Sequence, residues 1–277
     1  MTTENELRSQ LLACAQAVRA SKPLVPAITN VITIDFVANA QLAVGGSAAM
    51  VYLAEEGEAM AAAGQALYIN MGSQLDEHAQ GVVATARACA KANTPWVLDP
   101  VGIGIGSQRE RILLACKQVP PAIIRCNASE AIALAALWGI ETSETCGVRG
   151  VDSTDTVDAA QAAAVALARF TGGAVCVSGA EDLVTDGTGV VRVDGGSELM
   201  ESITGCGCSL GGVVAVYAAC ADALTAALAA TIAYNVAGLD AEADAHGPAS
   251  FKVAFIDALY NTTPEIIAAY PFVMTTL

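Results

Sequence analysis

The sequence has only two histidines, His78 and His246, and they stand far apart. That leaves little material for a histidine-based zinc site. Nine cysteines are scattered along the chain, and none forms a C-x-x-C pair. The N-terminus, MTTENELRSQ, lacks the basic-then-apolar pattern of a secretory leader. Without export, the thiols are expected to stay reduced and the protein to be cytoplasmic. Charge is scarce: 15% of residues carry one, and 13 basic against 28 acidic residues leave a net charge of −15. Such a chain repels nucleic acid and anionic lipid, so neither is expected as a partner. No Gly-Lys pair exists, so there is no Walker A loop. The run Gly102-Ile103-Gly104-Ile105-Gly106 has Ser107 where a dinucleotide fingerprint needs its last glycine. Protein-kinase signatures are missing too.

What is present is apolar residue, 54% of the 277. That suffices for a sizeable core, and the length fits one α/β domain or two smaller ones. No linker, repeat or charge block divides the chain, so residues 1–277 are read as a single domain, with 139–156 as its most pronounced loop. Mean hydropathy is +0.51. The longest uncharged stretches, 202–221 and 223–239, overlap the membrane-spanning range of roughly 17–25 residues. They are rich in alanine, Asp222 separates them, and the first opens in a Gly/Cys/Ser/Thr cluster. Helices buried in a globule or between subunits are expected instead.

Short β-branched or apolar runs alternate with longer alanine-rich segments. Strands are expected at 24–28, 48–52, 66–70, 96–99, 122–125, 174–178, 183–185 and 190–193. Helices are expected at 34–42, 55–63, 76–92, 109–119, 129–138, 156–171, 209–219 and 224–241. This alternation predicts an α/β fold, a mainly parallel central sheet with helices on both faces. The pair 183–185 and 190–193, joined through Asp186-Gly187, reads as a hairpin.

Sites in such sheets lie beyond the carboxyl ends of the strands. The polar residues there are Thr29-Asn30, Asp99-Pro100, Arg125-Cys126-Asn127 and Ser178-Gly179. The segment Ile203-Thr204-Gly205-Cys206-Gly207-Cys208-Ser209 opens an uncharged helix. The first N–H groups of a helix form an anion site, reinforced by its dipole. A small-residue turn that only packs the helix would look the same. Cys208 stands at the helix start, where a thiol pKa is expected below its free value of about 8.5. It is read as a polar group beside a transferred phosphoryl, with a base role open; the alternative is a small buried hydrophobe. The other seven cysteines outside that loop get only the hydrophobe reading. Asn127 or Ser129 can cap the next helix, with Glu130 in its first turn. Arg125 has no such local explanation, since a cation opposes the dipole there, and it suggests a phosphate ligand. Asp99 can hold Mg²⁺ or its water, or simply form a turn with Pro100.

Together these segments resemble the hydroxyethylthiazole kinases, thiamin-salvage members of the ribokinase-like superfamily. The resemblance runs through Pro26-Ala27-Ile28-Thr29-Asn30, Ala48-Ala49-Met50-Val51, Ile69-Asn70-Met71-Gly72, Trp96-Val97-Leu98-Asp99-Pro100-Val101 and Arg125-Cys126-Asn127-Ala128-Ser129-Glu130. It continues in Gly150-Val151-Asp152, Ser178-Gly179, Thr185-Asp186-Gly187, the 205–208 loop and Gly247-Pro248-Ala249-Ser250-Phe251. It implies ATP- and Mg²⁺-dependent phosphorylation of the primary alcohol of 4-methyl-5-(2-hydroxyethyl)thiazole. By the resemblance, Met50 contacts the thiazole, with Asn30 and Val31 near that pocket. Gly205 touches substrate and phosphoryl, in a catalytic loop with Cys206, Gly207 and Cys208. Arg125 and Ser178 match nucleotide contacts, with Asn127 beside them. Asp99 and Glu130 match acidic residues near the Mg–phosphate centre. Cys208 occupies the place where sugar kinases carry an aspartate base. A homotrimer with active sites at subunit interfaces is also implied.

The chain departs from the family pattern with Cys206 for a small hydroxyl residue, Cys126 for glycine and Ser178 for threonine. Altered kinetics, rather than a different reaction, are expected from these. Four other readings compete. They are a kinase of another small heterocyclic alcohol, a nucleotide-dependent dehydratase of the same superfamily, a hydrolase using Cys208 as nucleophile, and a non-catalytic binder of thiazole or nucleotide.

Overall fold

The computed structural model describes residues 3–72, 76–142 and 157–277. The first half holds α1 (Glu4–Ser21), β1 (Leu24–Ile28), α2 (Ile34–Ala43), β2 (Ser47–Met50), α3 (Ala54–Ala63), β3 (Leu67–Asn70), α4 (Asp76–Ala92), β4 (Trp96–Asp99), α5 (Ser107–Cys116), β5 (Ile123–Asn127) and α6 (Ala128–Leu137). The second holds α7 (Val157–Thr171), β6 (Ala174–Ser178), β7 (Glu181–Thr185), β8 (Gly189–Asp194), a 3-10 turn (Glu198–Ser202), α8 (Cys206–Ala218), α9 (Ala223–Asp244), α10 (Pro248–Asn261), α11 (Pro264–Ala269) and β9 (Val273–Thr276). Of the loop expected over 139–156, residues 143–156 lie outside the described residues, and so does Gly150-Val151-Asp152.

One nine-stranded sheet runs in the order β2-β1-β3-β4-β5-β6-β7-β8-β9. Strands β2 to β6 pair in parallel, and β7, β8 and β9 extend the sheet antiparallel. The mainly parallel sheet with helices on both faces is therefore present. Strand residues alternate between two cores, as the period of two requires. Val25, Ala27, Tyr68, Val97, Ile123, Ala174 and Cys176 join one core, with α1, α2, α8, α9 and α10. Leu67, Ile69, Trp96, Leu98, Ile124, Cys126, Val175 and Val177 join the other, with α3 to α7. This alternation puts Tyr68, Asn70, Asp99 and Arg125 on the α8 side of the sheet.

Four elements escape the sequence reading. Helix α1 buries Leu7, Leu11, Cys14, Ala15 and Val18 along one stripe, and Thr3 and Glu6 close a reciprocal cap at its start. Its charged outer face hides that stripe. Helices α10 and α11 start at Gly247-Pro248 and Thr263-Pro264, both marked by proline in the first turn. Strand β9 is exposed at all four residues, so it has no buried alternation to betray it. The hairpin expected at Asp186-Gly187 forms, with Asp186 Oδ1 accepting from the amides of Thr188 and Gly189.

Helix α9 is 22 residues long and apolar enough to cross a membrane. Here it packs against α8, α10, α1 and the sheet, and 78% of its most apolar window is buried. Its length and hydropathy come from serving as a core helix.

Candidate active site

Sheet register assembles the centre of the site. Asn70 is the cross-strand partner of Asp99. On the other side, Leu98 pairs with Ile124, which brings Arg125 alongside Asp99. Arg125 pairs in turn with Cys176, and Asn127 with Ser178, at the end of β6. Thus the carboxyl ends of four consecutive strands deliver Asn70, Asp99, Arg125 and Ser178 to one line.

Polar contacts knit them together. Arg125 Nη1 lies 3.5 Å from Asp99 Oδ2, and Arg125 Nη2 donates to Ser178 Oγ at 2.6 Å. Asn70 Nδ2 donates to Asp99 Oδ2 at 3.1 Å and to the Tyr68 hydroxyl at 2.9 Å. Asn30 Nδ2 donates to Asn70 Oδ1 at 3.1 Å and to the Cys208 sulfur at 3.5 Å. Asn30 Oδ1 accepts the amides of Ile32 and Thr33 and so shapes the turn after β1.

The Tyr68 hydroxyl lies 2.8 Å from Asp99 Oδ2 and 2.7 Å from the Cys208 carbonyl oxygen. A hydroxyl has one hydrogen, so it donates to one of these oxygens at a time while it accepts from Asn70 Nδ2. Asp99 is fully buried, and burial pushes its carboxyl up to about 7 against the pull of Arg125. Burial alone would discourage the Arg125 charge, but Asp99 and Glu130 together hold its pKa above the ordinary value. The Tyr68 hydroxyl is held far above its ordinary range, by burial first and then by Asp99.

Helix α8 stands over this line. Gly205 precedes it at φ +96°, a left-handed conformation that favours glycine. No side chain caps the helix, and the amides of Cys206, Gly207 and Cys208 have no partner among the described residues. Gly207 sits flush on the Arg125 guanidinium: a Cβ there would lie 2.6 Å from both terminal nitrogens. The first turn of α8 is therefore a set of open donors backed by a buried cation, a combination suited to an anion.

One thiol, that of Cys208, does not behave as the sequence suggested. Cys208 is half-buried, and its pKa is raised rather than lowered. Burial contributes most, then the Asp99 charge, and Arg125 only partly opposes them. The expected depression from the helix start is overturned. Cys206 turns its side chain into the core, and burial pushes that thiol up to about 12. Only its N–H can meet a ligand. Cys126 points into the opposite core, away from Arg125.

Other expected residues lie around the rim. Asn127 Oδ1 accepts the Glu130 amide, and Glu130 Oε2 accepts the Asn127 amide, closing a reciprocal cap on α6. Met50 ends edge strand β2 opposite Ala27, and Val31 is 56% exposed beside Asn30. Neither joins the polar line. Sequence reasoning missed Tyr68 and Asn70 as site residues. A tyrosine and an asparagine closing an otherwise apolar strand were the available signal. It also missed Asp182, buried at the start of β7, which accepts from the Gly179 amide at 3.1 Å and from Asn235 of α9 at 2.9 Å. Burial pushes Asp182 up to about 6, and those bonds oppose the rise.

A divalent cation is compatible with these residues. Asp99 Oδ1 is buried without a hydrogen-bond partner among the described residues. No group of three or more His, Cys, Asp or Glu converges among them. One or two carboxylates, completed by water and phosphate oxygens, is the usual Mg²⁺ arrangement.

The model of the hydroxyethylthiazole kinase family matches residues 15–265. The chain is 46% identical to a hydroxyethylthiazole kinase of Bifidobacterium animalis subsp. lactis, over 97% of this chain and 92% of that protein. It is 44% identical to one of Cereibacter sphaeroides, over 90% of this chain and 92% of that protein. Among solved structures, a hydroxyethylthiazole kinase protein from Pyrococcus horikoshii OT3 superposes with a TM-score of 0.86. The identity is 28%, over 96% of this chain and 98% of that one. A Staphylococcus aureus pyridoxal kinase in complex with ADP shares the fold, with a TM-score of 0.58 at 15% identity over 78% of this chain and 88% of that one.

Proposed function

We propose a reaction from one premise: the chain belongs to the hydroxyethylthiazole kinase family. It transfers the γ-phosphoryl group of ATP to the primary alcohol of 4-methyl-5-(2-hydroxyethyl)thiazole, a step of thiamin salvage. The observation that carries this is the uncapped first turn of α8 standing over Arg125, with three open amides on one side and Ser178 on the other. A phosphoryl transfer needs little covalent chemistry from the protein. It needs in-line positioning and fixed donors where charge develops.

In this reading the amides of Cys206, Gly207 and Cys208 hold the transferring oxygens. Arg125, fixed by Asp99 and Ser178, meets the nucleotide phosphates, and Asn127 lies at the nucleotide rim. Asp99 and Glu130 would hold Mg²⁺, in part through water, and a bound ion would supply positive charge to offset that of the phosphates. The raised pKa keeps Cys208 a neutral thiol near pH 7, so it positions the alcohol rather than acting as a strong base. Asn30 fixes that thiol from below. Met50 and Val31 line the thiazole end. Apolar Val31 and Ile32, 56% and 70% exposed, support a homotrimer in which a neighbouring subunit completes that end. The eight described cysteines are all free thiols, in keeping with a cytoplasmic setting.

The alternative of a cysteine hydrolase finds no support. Among the described residues no histidine bonds to Cys208: His78 stacks on Tyr52, and the His246 amide donates to Ser250. The test of the kinase reading is ADP release with ATP, Mg²⁺ and the thiazole alcohol, each omitted in turn. Release that requires all three supports it. Release without the alcohol, or none at all, removes this substrate. Sedimentation of the pure protein tests the trimer, and a monomer at micromolar concentration sinks it.

A further inference from the structure

Tyr68 carries a load that core packing does not explain. Its side chain is fully buried on the α8 side of the sheet. An aromatic ring there needs only space, yet the hydroxyl is placed between a strand-end carboxylate and a helix backbone. It lies 2.8 Å from Asp99 Oδ2 and 2.7 Å from the Cys208 carbonyl oxygen. Asn70 Nδ2, at 2.9 Å, fixes the direction of the hydroxyl. Helix α8 is cut to receive the ring: a Cβ on Gly211 would lie 2.5 Å from Tyr68 Cε2 and 2.6 Å from its oxygen. Gly207 and Gly211 are four residues apart, so they share one helix face. One admits Arg125 and the other Tyr68.

We propose that Tyr68 is a positioning residue for phosphoryl transfer, its hydroxyl fixing the first turn of α8 against Asp99. The inference rests on the kinase reading given above. The amides of 206–208 and the Asp99–Arg125 pair belong to different elements, one to a helix and the other to two strands. They serve the same phosphates only if their separation is constant. Donating to the Cys208 carbonyl oxygen and accepting from Asn70 Nδ2, which also donates to Asp99 Oδ2, the Tyr68 hydroxyl ties the two together through the backbone of residue 208, whatever its side chain. Misplacing donors by about 1 Å lowers a rate by on the order of 100-fold.

Tyr68→Phe tests this, because it keeps the ring and the packing and removes only the tie. The expected result is a kcat lower by roughly 10–100-fold. The KM values for ATP and alcohol and the melting temperature stay near those of the parent. Hydrogen exchange, read by mass spectrometry, becomes faster in the peptide spanning 203–212 and unchanged in β4 and β6. A kcat within twofold of the parent overturns the proposal. So does a kcat loss accompanied by faster exchange across the whole sheet, which marks a packing role. Were the parent inactive on the thiazole alcohol, the kinase reading would fall, and the exchange of 203–212 would still decide the tie. Unchanged exchange there overturns it.

Discussion

Helices α8 and α9 are neighbours, both apolar and built largely of small residues, yet they do different work. Helix α8 has no charged residue, and α9 has none before Asp240. Where α8 crosses the strand ends it presents Gly207 and Gly211, and the side chains of Arg125 and Tyr68 occupy the space a Cβ would fill. Where α9 crosses the core it presents Ala226, Ala227, Ala229, Ala230, Ala233 and Ala237, all buried. Both choices allow close approach. Alanine gives it while keeping helix propensity, whereas glycine in a helix interior forfeits about 1 kcal/mol per residue. Helix α8 accepts that penalty over Arg125, Tyr68 and the adjoining wall of α2, whereas α9 does so once, at Gly238 against Gly196 and Met200. Small residues in one helix thus make room for the buried polar side chains at the strand ends, and in the other they make a tight core.

Gly207→Ala should break the distinction most severely. Its Cβ would meet an arginine pinned between Asp99 and Ser178, and either the cation or the helix turn must move. We expect kcat/KM for ATP to fall by about 10²–10³, the scale of losing an oriented donor at a transition state. Steady-state ADP release measures it, and a loss below tenfold would mean that the turn tolerates displacement. Cys208→Ala should act more mildly, with a loss under about 10² and no change in the shape of the pH–rate profile, because the thiol is not the base. A larger loss, with one limb of the profile gone, would return the base role to Cys208.

On the α9 side the effects fall on stability. Asp182, bonded to Asn235 of α9, has a folded-state pKa raised from 3.8 to about 6. The folded protein therefore holds a proton that the unfolded chain has released between those values. Its contribution lowers stability as pH rises from about 4 to about 6, and that loss is fully present above 6. Asp182→Asn should remove this part of the decline, leaving the variant at least as stable as the parent at pH 7.5. Urea midpoints from pH 4 to 7.5 show it; parallel curves for the two proteins would contradict it. The smallest effect is expected of Ala230→Gly, at about 1 kcal/mol of stability with kcat unchanged. A change in kcat there would show that α9 reaches the site after all.

The sequence carried much of this, for a physical reason. Strands β1, β4 and β6 fall where the apolar runs placed them, because a strand buried on both faces reads as a continuous run. Asn30, Asp99, Arg125 and Ser178 stood out as polar residues ending such runs, and the structure joins them through Asn70 and direct contacts. What stayed hidden depends on register and on distance in sequence. Tyr68 looks like a core aromatic until α8 is laid on it. Asp182 and Asn235 meet across 53 residues, one at a strand start and the other in mid-helix. The Cys208 thiol was misjudged because a local rule, the helix start, lost to burial and the Asp99 charge.

The most direct test of the central claim is mass spectrometry of the small-molecule product formed with ATP, Mg²⁺ and 4-methyl-5-(2-hydroxyethyl)thiazole. The account predicts a thiazole phosphorylated on its hydroxyethyl oxygen, in equal amount to ADP. Unmodified thiazole, with ATP bound or slowly hydrolysed, would contradict it.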